Sequence, residues 1–379
     1  MNHSEDAPRS LSVTVVIPFH GELAPLEKLL DSIAEAWSRD PTILREVIVV
    51  WDGPNDPTSL VVDFSEQTGV AARSLFVEAG PAVKRNEGMS AACTDIALCV
   101  DADCIIHPDL LKAVASTFTS HDVHALAVPV IFESPTTLLE SATAVMPYRQ
   151  AFAWASSGTR QWWAPAATIA LRLSTGKRLG GFWSVGKGLD RGEDVDLGLR
   201  WTIHLGSPAV VTIPACASSH ARETWYSLIS SCERAWRFGT SEGYLWPRHP
   251  AFRRRRMPPI LAAVLVCLIA SAVLAAFGVF TQGLLIIGIL LLWIWGITEV
   301  NLFRRSGLRP AALPVGFLLA FLFEISRTLS LWRAGTLTGG LWFHHKQPAG
   351  EWHLLALNGW LLLSVGFLMW MLSLFITRR

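Results

Sequence analysis

Leu11 to Pro18 is a nearly unbroken apolar and β-branched run, after which Leu26, Leu29, Leu30, Ile33 and Trp37 recur at helical spacing, and Val47 to Trp51 is a second apolar run. The cycle repeats through Val70 to Val77, a helical stretch at Pro81 to Ala92, and Ile96 to Val100. Short apolar runs alternating with a 3.6-residue period predict a mostly parallel sheet with helices on its faces, because each face of the sheet has to be covered. Ala125 to Phe132, Ala166 to Leu173 and Ala209 to Ile213 are further predicted strands. Two more helices are expected at about Asp194 to His204 and about Thr224 to Phe238.

The pattern changes after Arg253 to Arg256 and Pro258-Pro259. Ile260 to Val279, Leu284 to Val300, Ala311 to Trp332 and Leu354 to Ile376 are each near the roughly 20 apolar residues that cross a bilayer core. They account for a hydrophobic content of 51% and a mean hydropathy of +0.36, too apolar for an ordinary soluble enzyme. The third segment holds Glu324 and Arg327, three apart on one helix face; they could pair with each other, or the segment could lie in the interface. If all four segments span, Arg253 to Arg256, Arg304, Arg305, Arg309, Arg378 and Arg379 fall on one side, which the positive-inside rule makes cytosolic. Trp293, Trp295, Trp332, Trp342, Trp352, Trp360 and Trp370 fall mostly near segment ends, where interfacial anchors sit.

The expected division is a flexible N-terminus (1–11), a cytosolic α/β domain (12–250), a basic juxtamembrane linker (251–259) and a membrane domain of about four helices (260–379). The first ten residues are polar and lack the apolar core of a signal peptide, so the α/β half is expected to stay in the cytosol of a bacterial-type cell. The 32 basic and 31 acidic residues nearly cancel, and no nucleic-acid partner is expected. Six cysteines without CxxC pairing read as reduced.

Ile96 to Cys104 ends an apolar strand on two carboxylates, Asp101 and Asp103. At the C-terminal end of a parallel strand, side chains face the crevice where α/β folds bind ligands, and carboxylates there suit a hard divalent cation that also holds phosphate. An Asp-rich turn would read the same. Val16 to Gly21 ends the first strand, Trp51 to Asp56 ends the second, and Lys84 to Gly88 lies in the helix before the aspartates. Leu179-Gly-Gly-Phe182 precedes Gly192 to Trp201, and Pro214 to Arg222 follows the next strand.

In these motifs and their order the chain resembles the family 2 glycosyltransferases, inverting enzymes of the GT-A fold, over about Ser12 to Pro250. Gly192 to Leu197, Pro214 to Arg222, Arg234 to Ser241 and Arg248-His-Pro250 narrow the likeness to the mycofactocin-system branch. The resemblance implies a nucleotide-diphosphate sugar donor (UDP- or GDP-sugar) and Mg²⁺ or Mn²⁺. Asp103 would ligate the metal, Asp101 would help through the ribose or groups around the metal, and His220 matches a position that is a ligand in some members. Donor binding would involve Pro18, His20 and Glu22, with Asp52 at the nucleobase; Trp51 departs from the family's paired acids.

Lys84 and Arg85 stand near a helix start, where cationic side chains can join backbone donors around phosphate; a solvated basic turn is the alternative. Arg234 and Arg237 share a helix face and could grip the diphosphate or meet the membrane surface. An acceptor hydroxyl needs a base, which the resemblance assigns to Asp194 with Glu193 beside it; Glu193 and Asp196 could instead only cap the helix. Gly180, Gly181 and Phe182 mark the acceptor region. Glu233-Arg-Ala-Trp-Arg237 departs from the Gln-x-x-Arg-Trp of processive members, which points to one sugar per acceptor visit. The acceptor is expected to be lipid-linked; a soluble peptide-derived redox cofactor is one alternative, and a non-catalytic scaffold or export subunit is another.

Overall fold

The computed structural model describes residues 11–152, 156, 158–184, 192–220, 227–255, 260–278, 282–305, 307–336 and 339–341. The segment predicted at Leu354 to Ile376 lies outside them, as do residues 1–10. Strands and helices alternate through β1 (Val13–Phe19), α1 (Leu23–Arg39), β2 (Leu44–Trp51), α2 (Thr58–Thr68), β3 (Ala71–Phe76), α3 (Pro81–Ala91) and β4 (Ile96–Val100). Then follow β5 (Cys104–Ile105), α4 (Leu110–Thr117), β6 (Ala125–Ala127), β7 (Val130–Phe132), α5 (Leu138–Ala144) and α6 (Pro147–Gln150). Next come β8 (Thr168–Arg172), α7 (Leu173–Leu179), α8 (Glu193–Leu205), β9 (Val210–Thr212), β10 (Ser218–His220) and α9 (Leu228–Arg248). The last described elements are β11 (Arg253–Arg255), α10 (Ile260–Ala276), α11 (Gln282–Arg305), α12 (Leu313–Arg333) and β12 (Gly339–Leu341).

Seven strands form the main sheet in the order β3-β2-β1-β4-β8-β6-β9. β1, β2, β3 and β4 run parallel, as does the β6–β9 pair, while β8 is antiparallel to both its neighbours. Both faces are buried and the two-residue side-chain period sorts β1 between two cores. Val13, Val15, Ile17 and Phe19 pack with Leu26, Leu29 and Ile33 of α1, whereas Val16 packs opposite with Ala82 and Met89 of α3. Gly88 allows that second contact, since a Cβ there would collide with Val16.

The predicted strand Ala125 to Phe132 divides in two. Pro129 cannot donate a ladder hydrogen bond, and β7 leaves the main sheet to pair with β10 beside β5. That small sheet sets His220 opposite Cys104, next to Asp103. α9 runs ten residues beyond its predicted end, to Arg248. All six cysteines are free, with Cys99, Cys104 and Cys216 buried and Cys93 exposed.

α10 is apolar all round and α11 is so from Gly283 to Ile297, with Val266, Ile269, Val273, Phe277, Ile286, Ile289 and Trp293 exposed. Among the described residues one helix, Pro310–Arg333, is long and apolar enough to cross a membrane. α12, its main part, lies along α9: a Cβ on Gly239 would strike Ser326 and the Phe323 carbonyl, and one on Gly243 would strike Ser330. Ser330 Oγ donates to the Thr240 carbonyl at 2.6 Å. After α12, β12 pairs with β11, so the basic stretch read as a linker contributes a strand.

Candidate active site

Because β1, β2 and β4 are parallel, their C-terminal ends place His20, Asp52 and Asp101 to Asp103 along one edge of the sheet. Lys84, in the first turns of α3, reaches under that edge, donating to the Phe19 carbonyl at 2.8 Å and to the Asp52 carboxylate. His20 Nδ1 lies 2.7 Å from Asp52 Oδ1. Burial pushes the Asp52 pKa up, but the hydrogen bonds from Lys84 and His20 outweigh it, and the net direction is below the ordinary carboxylate value.

Arg85, fully buried, ties the two acidic motifs together. Its Nη2 donates to Asp101 Oδ1 at 2.7 Å and its Nη1 to Glu193 Oε1 at 3.2 Å, with the guanidinium 5.3 Å above the Phe182 ring. Burial works against its charge, yet Asp101 and Glu193 raise its pKa above the ordinary value. Lys84 and Arg85 are thus engaged by carboxylates, where the sequence placed them beside phosphate.

Asp194 stands in the first turn of α8, after Gly192 at φ 70°. Its Oδ1 accepts a hydrogen bond from the Val195 amide at 2.8 Å. Burial first, and then the neighbouring Glu193 charge, push its pKa up to about 7. Asp103 Oδ2 is 3.3 Å from His220 Nε2, and the His220 ring stacks on Phe132 with centroids 4.7 Å apart.

These groups share one cavity of about 970 Å³, lined among others by Pro18, His20, Glu22, Lys84, Arg85, Asp101, Asp103, Glu193, Asp194 and Arg237. Arg234, one turn before Arg237, is held below its usual pKa by burial, with Asp103 and Asp101 acting the other way. Asp52, His220 and Arg234 are not among the lining residues.

A model of the family described as glycosyl transferase family 2 matches residues 14–184. Two curated proteins, each a pre-mycofactocin glycosyltransferase of Mycobacterium tuberculosis (strains CDC 1551 and H37Rv), are 26% identical over 247 residues, 64% of this chain and 49% of theirs. The chain therefore spans about half the length of these relatives. A mannosyltransferase from Pyrobaculum calidifontis, solved with GDP-Man and Mn²⁺, superposes with a TM-score of 0.51 at 20% identity, covering 85% of this chain and 87% of that one. The chain carries a family 2 glycosyltransferase domain of GT-A-like fold.

Gly180 and Gly181 of this family 2 domain do not line the cavity, and neither does Phe182. They form a clamped loop beneath Arg85: Asn86 exchanges two hydrogen bonds with the Phe182 backbone (2.7 and 2.8 Å), and Arg200 donates to the Leu179, Gly180 and Gly181 carbonyls. Gly181 lacks the Cβ that would collide with Asn86. Asp196, wholly buried, accepts from Arg248 at 2.8 Å and pairs with His249 at 3.0 Å and Arg200 at 3.1 Å. Burial raises its pKa, and those partners more than reverse this, to about 2. Arg248-His249 thus fastens the end of α9 to the helix that carries Asp194.

Other cavity residues were not assigned to the site by sequence reading: Glu242 of α9, Phe323, Glu324 and Arg327 of α12, and Leu341 of β12. Arg327 pairs with Glu242 and lies 3.4 Å from Glu324, and the Leu341 amide donates to Glu242 at 2.7 Å. The signal in the sequence was the charge pair inside an apolar segment.

A divalent cation is the group such a fold implies. Among the described residues no three His, Cys, Asp or Glu side chains gather as a metal site. Asp103 and His220 do meet, and a cation that shares its shell with substrate phosphates and water needs only one or two protein donors. The lining also carries seven carboxylates (Glu22, Asp101, Asp103, Glu193, Asp194, Glu242, Glu324) against four obligate cations (Lys84, Arg85, Arg237, Arg327), so a bare diphosphate would enter against net negative charge. The residues present fit a cation that arrives with the diphosphate.

Proposed function

We propose that this chain transfers one sugar at a time from a nucleotide-diphosphate sugar to an acceptor hydroxyl, by in-line displacement with inversion. The observation that carries the reading is the half-buried Asp194 carboxylate, its pKa raised to about 7, in one cavity with Asp101 and Asp103, its neighbour Glu193 linked to Asp101 through Arg85. The acceptor oxygen attacks the sugar C1, the bond from C1 to the phosphate oxygen breaks, and the nucleoside diphosphate leaves with its electron pair. Asp194 takes the hydroxyl proton. A pKa near 7 leaves enough free carboxylate at cytosolic pH while making it a stronger base than an exposed aspartate.

Asp103 and His220 would hold Mg²⁺ or Mn²⁺, which supplies charge neutralisation for the departing diphosphate. Arg85 keeps Asp101 and Glu193 apart and aligned, and Arg237 borders the path of the diphosphate. Asp52, fixed by Lys84 and His20, is an acceptor-only group suited to nucleobase N–H donors. The apolar α10 and α11 support attachment to a membrane, with a lipid-linked acceptor within reach. The 26% identity to pre-mycofactocin glycosyltransferases favours a second reading, a soluble peptide-derived acceptor. The scaffold alternative has no observation in its favour.

Asp194→Asn decides the central point. It should leave nucleotide-diphosphate affinity within a few-fold of wild type and lower transfer by roughly 10²-fold or more, the scale of general-base loss. Wild-type transfer in the variant would move the base to Glu193. A wild-type chain that turns over none of a panel of UDP- and GDP-sugars would refute the transferase reading.

A further inference from the structure

We infer that α12 forms the acceptor side of the cavity and that the reacting end of the acceptor is a neutral hydroxyl-bearing ring, held by Phe323, Phe238 and Glu324. The inference rests on the transferase reading above and names the acceptor chemistry for that site.

The path from base to acceptor wall runs through contacts on α9. Gly192, just ahead of Asp194, packs against Ser241 and Leu245, where a Cβ would sit 3.4 and 3.0 Å from their side chains. On the same helix, Gly239 and Gly243 admit Ser326 and Ser330 of α12. α9 therefore lies between the base and α12, and Phe238, Ser241, Phe323 and Glu324 line the same cavity as Asp194. The donor end, with Asp101, Asp103 and the ends of β1 and β4, belongs to the main sheet.

Aromatic rings dominate the far wall. Tyr148 stacks on Phe238 with centroids 4.9 Å apart and planes 12° from parallel, and it lies 6.0 Å from Phe323. Such a wall suits the apolar face of a sugar ring or the face of an aromatic ring. Glu324 and Glu242 sit at its edge, both engaged by Arg327, and a carboxylate accepts hydrogen bonds from hydroxyls.

Charge excludes the rival acceptor chemistry. Across the lining, seven carboxylates face four obligate cations, and Arg85 and Arg327 are each already matched by two carboxylates. A phosphate or carboxylate acceptor would add negative charge to this patch, whereas a neutral hydroxyl adds none. A phosphate nucleophile would also arrive deprotonated and leave Asp194 nothing to remove.

The test uses the full chain in detergent micelles with its preferred nucleotide sugar and three acceptor probes: octyl glucoside, N-acetyltyrosine amide and dodecyl phosphate. Transfer to either neutral probe supports the inference, and the preferred one separates a sugar from an aromatic acceptor. Phe323→Ala and Glu324→Gln should each raise the KM for that probe roughly tenfold, with a smaller effect on kcat. Nucleoside-diphosphate affinity, titrated directly, should stay within two-fold and shows that each variant is folded. If Phe323→Ala fails that control, Phe323→Leu takes its place. Faster transfer to dodecyl phosphate, transfer to none of the probes, or a wild-type KM in both variants would overturn the inference while leaving donor turnover and the transferase reading intact. Absence of donor turnover in the wild type would refute that reading and this inference with it.

Discussion

Asp194 and Asp196 are two residues apart on one helix turn, yet their surroundings push them in opposite directions. Asp196 meets Arg200, Arg248 and His249 and is held ionised, while at Asp194 loss of water and the like charge of Glu193 outweigh the Val195 amide and Arg85. The base form of Asp194 is the ionised one, so kcat/KM should be low in acid, rise through a midpoint near pH 7 and then level. A pH–rate profile on the metal-saturated chain checks this, and a flat profile from pH 5 to 8 would exclude Asp194 as the base. At Asp103, loss of the carboxylate should act on binding. Asp103→Ala, or chelation of divalent cations from the wild type, should weaken nucleotide-diphosphate affinity by tenfold or more, about 1.4 kcal/mol. Equal affinity with and without chelator in an isothermal titration would remove the metal from the proposal.

At the scale of elements, the contact between α9 and α12 joins the catalytic domain to the apolar C-terminal part. Its small residues bring the helices close, and buried Glu242 meets half-buried Arg327 and Glu324 beside that crossing. Arg327→Met should strand Glu242 without its cation, at a cost of about 3–5 kcal/mol for breaking a buried pair. Thermal unfolding should show a lowered Tm, and adding Glu242→Gln should recover more than half of the loss. An unchanged Tm in Arg327→Met would mean that the pair does not hold the helices together. The sequence foretold β1, β3, β4 and α3 within a residue or two and β2 within three, because those segments are bounded by polar turns and β1, β2 and β4 are buried on both faces. It did not foretell the division of Ala125 to Phe132: an apolar run looks continuous even where a proline sends its two halves to different sheets.

For the whole molecule, the disposition of the apolar helices decides what the cavity faces. α10 is apolar on every side and α11 is so up to Glu299, as a bilayer-inserted pair would be, whereas α12 carries the Glu324–Arg327 pair in its middle and lines the cavity. The expected topology has α10 and α11 crossing, with α12 staying beside α9 on the cytosolic side. In sealed right-side-out vesicles, an impermeant thiol reagent should label a cysteine at Phe277 and leave one at Thr336 protected. Labelling at Thr336 would show that α12 crosses, and would remove it from the cavity wall.

What the sequence by itself determined is the set of local, periodic features. These are the parallel strands with carboxylates at their C-terminal ends, the Glu193-Asp194 turn, and the change from an α/β pattern to apolar segments. Each is written in residues adjacent along the chain. What only the tertiary structure decided is which charges meet. Arg85 bonds to Asp101 and to Glu193, 108 positions away, in place of a solvated turn. His220 reaches Asp103 because β10 pairs with β5. Arg327 reaches Glu242 across 85 positions because two glycines let the helices close up. Such pairings depend on chain crossings that no local pattern encodes, and once buried they set the protonation of the site through the loss of water and the sign of the nearest charge.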